Sequence, residues 1–448
     1  MYNRRIYALS DLPPEVKAVA FAKCSRSPDQ IDKIAKELDE DKSRKFHEKW
    51  VVGYGHSSVA EHAVLSIAIE NVSILATKVI EDNRLASYTE KSTRYQVFDK
   101  DKYFKPDLGK YNQVYSETCD FILNTYSRLN PLMINFFKKK FPKESESMIK
   151  NMALDCLRYI LPVSMQTTLG MTVNARNLEY GIMKLLSHPF KEMRDIGKEI
   201  KEAAIKITPT LIKYTQMNQY LTETKNELKK ISNEALKEGI GKNKEGVLLV
   251  EFDEDAENKL ITALLYRFSN RPYEQIMEQV KKLGRGEKER IIDESLNKLG
   301  KYDRPLREFE YVYYTFDVLM DYGGFRDVQR HRMCTQTNQA FSVEDGYQTP
   351  IEIVVAGFEN DFKDCMEKAK KTFKEISKEF PNEAQYIIPM AYNKRLLMKM
   401  NLRELFHFIK LRSGTGSHIS YKKIAQQMYN EIKRVHPFIA KYIQCDMS

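Results

Sequence analysis

At 448 residues the chain is longer than one ordinary core fills and suits two domains of about 200 residues each. Its 42% hydrophobic and 30% charged residues exclude a fibrous or disordered chain, and no apolar run reaches the roughly 20 residues of a membrane span. The net charge of +10, from 72 basic against 62 acidic residues, favours anionic ligands. No motif beyond basicity supports nucleic-acid binding, because the lysines interleave with glutamates, as on 198–206 and 363–378, in the manner of solvated helix faces. The start, Met1-Tyr-Asn-Arg-Arg-Ile6, lacks the apolar core of a secretory signal, so a cytoplasmic location is expected. Six scattered cysteines without a C-x-x-C pair predict reduced thiols and no metal site.

In chain order, an apolar-periodic helix over 16–27 matches one over 258–269, and a second amphipathic helix follows each, from Gln30 and from Tyr273. Strand-like runs come next, over 63–72 and 309–318, with His62 set against Phe309. Each copy then carries a short helix ending in an arginine motif, Asp82-Asn83-Arg84 or Arg330-His331-Arg332. The spacing changes by one residue between these two elements, which predicts an insertion at Gly323-Gly324. Long helices close each copy with Asn174-Ala-Arg176-Asn-Leu178 or Asn401-Leu-Arg403-Glu-Leu405. Four matched elements in one order make an internal repeat. Between the copies, Lys225 to Gly246 runs from a charged helical pattern into Gly239-Ile-Gly-Lys-Asn-Lys-Glu-Gly246. With no strand before it and no Lys-Ser/Thr ending, this run reads as a linker rather than a phosphate loop. The domains are therefore 1–235 and 236–448.

Arg330-His331-Arg332 gathers two permanent cations and an imidazole on one turn, a density suited to a bound anion and costly without one. A solvent-exposed helix end is the bland alternative. The surroundings favour the anion. Gly55-His56-Ser-Ser58-Val-Ala-Glu61-His62 precedes the first strand, and Asp82-Asn-Arg-Leu-Ala-Ser-Tyr-Thr-Glu90-Lys-Ser92-Thr-Arg94-Tyr95 follows it. Arg158-Tyr-Ile-Leu-Pro162, Asn174-Ala-Arg176 and Asn401-Leu-Arg-Glu-Leu-Phe-His407-Phe-Ile-Lys-Leu-Arg412 complete a set that resembles the flavin-dependent thymidylate synthases across nearly the whole chain.

The resemblance implies an α+β fold, two repeated domains, each a twisted, mainly antiparallel sheet packed by long helices, with the strands near 63–72 and 309–318 internal. It implies a flavoprotein of nucleotide biosynthesis, a methyltransferase that reductively methylates dUMP to dTMP without an enzyme nucleophile. FAD is the implied cofactor, with NADPH and methylenetetrahydrofolate as cosubstrates. Carried over residue by residue, His56, Ser58, Glu61, Glu90, Asn174, Arg176, Arg330, His331, Arg332, Asn401, Arg403 and His407 are the implied flavin contacts. Arg158 is an implied nucleotide contact, and Ser92, Arg94 and Arg412 are the implied catalytic-site residues. The match is uneven. The first copy has Asp82-Asn83 for Arg-His and Leu185 at an arginine position; the second has Ala340 for the serine, Gln385 before Ile388-Pro389, and Asp303 to Phe309 in place of the G-H and E-H element. Since the family builds its sites where subunits meet, the expectation is at most one competent nucleotide site per chain, in a homodimer that mimics a tetramer of single domains. The alternative is a flavin- or nucleotide-binding paralogue without turnover. Singly, His56 and His62 also read as core histidines, Asn174 and Asn401 as helix caps, and Tyr88, Tyr95 and Tyr347 as packing residues.

Overall fold

The protein is described by a computed structural model covering residues 4–236 and 246–448, and the expected linker run at 239–245 lies outside these residues. The chain divides into two compact units. The first takes the chain to Leu157, Leu161 to the linker, and Lys363–Ile387; the second takes Arg158–Ile160, the linker to Phe362, and Ile388–Ser448.

The first unit contains a three-stranded antiparallel sheet, β1 (Val64–Ser73), β2 (Ala86–Glu90) and β3 (Gln166–Asn174), in the order β1-β3-β2. Period-two alternation explains its burial: Leu65, Ile67 and Ile69 point inward while the residues between them stay exposed. Helices Asn112–Lys140, Ala175–Leu186 and Lys191–Ile205 supply the apolar partners, among them Ile122, Leu129, Ile182, Met193 and Ile200. The second unit contains β4 (Gly246–Phe252), β5 (Tyr313–Asp321), β6 (Thr335–Asn338) and β7 (Asn393–Asn401) in the antiparallel order β4-β5-β7-β6. Helix Ile419–Val435 packs on β4 and β5 and buries Ile424, Ala425, Met428 and Ile432. Among the described residues no helix is long and apolar enough to cross a membrane, and no disulfide joins the six cysteines.

The repeat is present in detail, with a different register from the one expected. The opening helices, Pro14–Cys24 and Ala256–Tyr266, match as predicted. In the ladders, Val64 faces Asn174 and Tyr313 faces Asn401, so the two outer strands are offset by 313 − 64 = 249. His62 therefore corresponds to Tyr311, not Phe309. The run from Arg307 to Tyr311 is a tight turn, and the strand begins only at Tyr313. At the strand ends, Ser73 faces Gln166 and Asp321 faces Asn393, an offset of 321 − 73 = 248. The odd residue is a bulge in the first copy between Glu70 and Val72, where Asn71 takes φ 57°, a left-handed conformation asparagine tolerates. Gly323-Gly324 is thus no insertion. A Cβ on Gly324 would meet Ser420 Oγ at 2.5 Å, so close packing selects the glycine. One further expectation is corrected: β5 is internal, but β1 is an edge strand, because the described residues of the first unit hold no counterpart of β4.

Candidate functional site

In the second unit β5 feeds a seven-residue helix, Tyr322–Val328, whose N-cap Asp321 accepts from Gly324 N at 2.6 Å. This helix delivers Arg326 and Asp327, and the turn after it delivers Arg330, His331 and Arg332. Across from it, helix Leu402–Ser413 starts at Asn401, whose side chain accepts from Glu404 N at 2.9 Å. The two elements meet through three side chains. Arg412 Nε donates to His331 Nε2 at 2.9 Å, and His331 Nδ1 lies 2.7 Å from Glu404 Oε1. Since Arg412 has only hydrogens to offer, Nε2 must accept; the imidazole proton then sits on Nδ1 and is donated to Glu404. Burial, with His331 only 4% exposed, pushes the imidazole below its ordinary value and keeps it neutral, against the pull of Glu404. Arg412 also donates through Nη2 to the Asp327 carbonyl at 2.6 Å and lies over the Tyr421 ring.

Asp327 is the counter-ion of a cationic cluster. Burial alone would raise its carboxyl, yet the surrounding Arg158, Arg330, Arg412 and Arg326 hold it below the usual value. Arg158 and Arg326 are buried, whereas Arg330 is exposed and 3.7 Å from Asp327. Four guanidinium groups act on one carboxylate, and their planar donors suit a phosphate. Three of the four, Arg158, Arg330 and Arg412, were expected from the sequence. Arg326 and Asp327 were not, although they sit within four residues of Arg330.

Beside this cluster lies a cavity of about 580 Å³, whose lining includes Tyr302, Asn401, Arg403, Glu404, His407 and Lys410. Arg403 is fixed by Pro305 O at 2.7 Å and by Glu310 Oε1 at 2.8 Å. The corrected register makes Glu310 the counterpart of Glu61, and in the first unit Arg176 pairs with Glu61. The glutamate–arginine pair is therefore kept in both copies, through Glu310 rather than Glu308, which the expected register set against Glu61.

The first unit places its expected residues differently. His56, Ser58 and Glu61 lie on or beside the tight turn Ser57–His62 and are exposed, as is His62, so the two histidines are not core residues. His56 approaches Trp50 at 6.0 Å between ring centroids. Asn174 caps its helix through Asn177 N at 2.9 Å, as Asn401 does. Glu90 is buried against Lys78 at 2.9 Å and Thr77 at 2.9 Å. Arg94 pairs with Asp155 at 3.0 Å, and Ser92 Oγ accepts from Arg94 N at 3.2 Å. Tyr88 donates to Ile80 O; in the second unit, Tyr347 packs near Phe362 and Tyr392. Among the described residues no group of three or more His, Cys, Asp or Glu is arranged to hold a metal ion.

Comparison with known proteins agrees with the internal repeat. The family model described as thymidylate synthase complementing protein matches residues 9–210 and again 248–438. A UPF0159 protein of Chlamydia pneumoniae is 32% identical over 96% of this chain and 90% of its own length. A flavin-dependent thymidylate synthase of Clostridium tetani is 28% identical over 45% of this chain and 82% of its own. A UPF0159 protein of Thermoplasma acidophilum is 29% identical over 91% of this chain and 90% of its own. With two matched segments covering most of its length, the chain belongs to the thymidylate synthase complementing protein family, whose domain it carries twice.

Proposed function

We propose that this protein is an FAD-dependent thymidylate synthase, reductively methylating dUMP, and that its nucleotide phosphate is held in the second unit. The observation that carries this reading is the cluster of Arg158, Arg330 and Arg412 around Asp327, next to a cavity of ordinary ligand size. The donor set fits a flavin dinucleotide: Lys301, Arg304 and Lys410 offer cations for a pyrophosphate, Tyr302 offers an aromatic face, and Asn401, Arg403 and His407 offer directed polar groups. Bound FAD would supply the hydride, with methylenetetrahydrofolate as carbon donor and NADPH as reductant. The chain's own work is then to neutralise the phosphate, fix the pyrimidine and stabilise charge on it.

A second reading applies to the first unit's own copy of the cluster. There Arg326, Asp327, Arg330, His331 and Arg412 are replaced by Lys78, Val79, Asp82, Asn83 and Leu185. That composition favours a domain without a nucleotide site of its own. Tritium release from labelled dUMP, with purified protein, FAD and both cosubstrates, tests the proposal. Arg412→Ala should lower turnover by about a hundredfold, as removal of a preorganised cationic donor does, while Leu185→Ala should not. No tritium release from the unaltered protein, with no flavin absorbance on purification, would remove the enzyme reading.

A further inference from the structure

We infer that Glu404 is a positioning residue, which holds His331 in the one tautomer that can dock Arg412. The inference rests on the nucleotide-site reading for its consequence, not for its geometry. Three observations carry it.

The hydrogen-bond chain has one polarity. Glu404 Oε1 can only accept from His331 Nδ1 at 2.7 Å, so Nε2 is left as the acceptor that Arg412 Nε needs at 2.9 Å. With the proton on Nε2 instead, two donors would face each other and Arg412 would lose its inner anchor. Glu404 is itself fixed, because its backbone N–H is the group that Asn401 caps. The ring has little freedom to turn, lying 4.6 Å from Phe408 and 5.5 Å from His407 between centroids.

The groups facing His331 leave few alternatives. From the facing helix, Glu404, Arg412 and His407 act on it, while Asp327 and Arg330 stand in its own segment of the chain. Of these, the acceptor placed on Nδ1 is Glu404.

The third observation comes from the repeat. The counterparts of Glu404, His331 and Arg412 in the first copy are Asn177, Asn83 and Leu185. Asn177 there does not reach toward Asn83 as Glu404 reaches His331; its side chain donates to Asn174 Oδ1 at 2.8 Å. All three members are present in one copy and all three are absent from the other, as expected of parts that work only together.

The test uses full-length protein labelled with 15N at histidine and arginine. The unaltered protein should show His331 neutral, protonated at Nδ1, and a slowly exchanging Arg412 Nε–H, both persisting below pH 6.5. Glu404→Ala should move the His331 proton to Nε2, expose the Arg412 Nε–H to exchange, and weaken dUMP binding about tenfold, the order expected for one charge-assisted hydrogen bond. Glu404→Gln, whose carbonyl can still accept from Nδ1, should restore all three readings to within about threefold. If Glu404→Ala leaves the tautomer and the Arg412 exchange unchanged, the positioning role is overturned. If both shift while even the unaltered protein fails to bind dUMP, the positioning role stands and the nucleotide reading falls.

Discussion

The two units carry the same plan with different charges at its centre. In the second unit, Asp327 gathers arginines and His331 connects Arg412 to Glu404. At the corresponding place in the first unit a buried lysine, Lys78, faces two carboxylates, Glu81 and Glu90, at 2.9 Å for the latter. One cluster sets several arginines around a buried aspartate, and the other sets a lysine against two carboxylates. An anion stabilises the first and would be repelled by the second. Duplication preserved the scaffold, its caps and ladders, while the residues at the centre of each unit diverged.

The sharpest way to break this comparison is at its two equivalent buried cations. Lys78→Met leaves Glu81 and Glu90 buried without their partner and should cost roughly 3–5 kcal/mol in a denaturation experiment. Arg326→Met should cost distinctly less, because Asp327 keeps Arg158, Arg330 and Arg412. Equal losses would mean that the second cluster is a structural ion-pair network rather than a site with cations in excess.

A smaller difference is expected at the pair kept in both copies. Arg403 is about one-third exposed and also holds Pro305 O, so Arg403→Ala should destabilise by about 1–2 kcal/mol. Arg176 and Glu61 are about half exposed, so Arg176→Ala should cost under about 0.5 kcal/mol. Smallest of all is the difference between the caps. Asn174→Ala and Asn401→Ala should each cost about 1 kcal/mol by the same lost hydrogen bond. A markedly larger loss at Asn401 would show that its cap also supports the Glu404 relay.

Much of this was legible in the residues. Each N-A-R or N-L-R motif turned out to mark a strand end and a helix cap, and the opening helices matched residue for residue. Glu310 was missed because the expected register ran two residues short of the ladder; the bulge at Asn71 accounts for one of them, and strand alternation over ten residues cannot locate such a bulge. Strand β4 was missed because it follows directly on the linker, with no counterpart among the described residues of the first copy to announce it. Glu404 stood inside the recognised motif, but nothing along the chain shows which imidazole a carboxylate will face.

The amino-acid sequence by itself determined the repeat, the class of the elements matched between the copies and three of the four arginines around Asp327, because periodicity, caps and motif spacing are local properties. The tertiary structure alone decided the register of the outer strands, the joining of Arg158 to the second unit's cluster, and the direction of the Arg412–His331–Glu404 chain. Those depend on distances between residues far apart in sequence, where a shift of one residue or one ring nitrogen changes which groups attract.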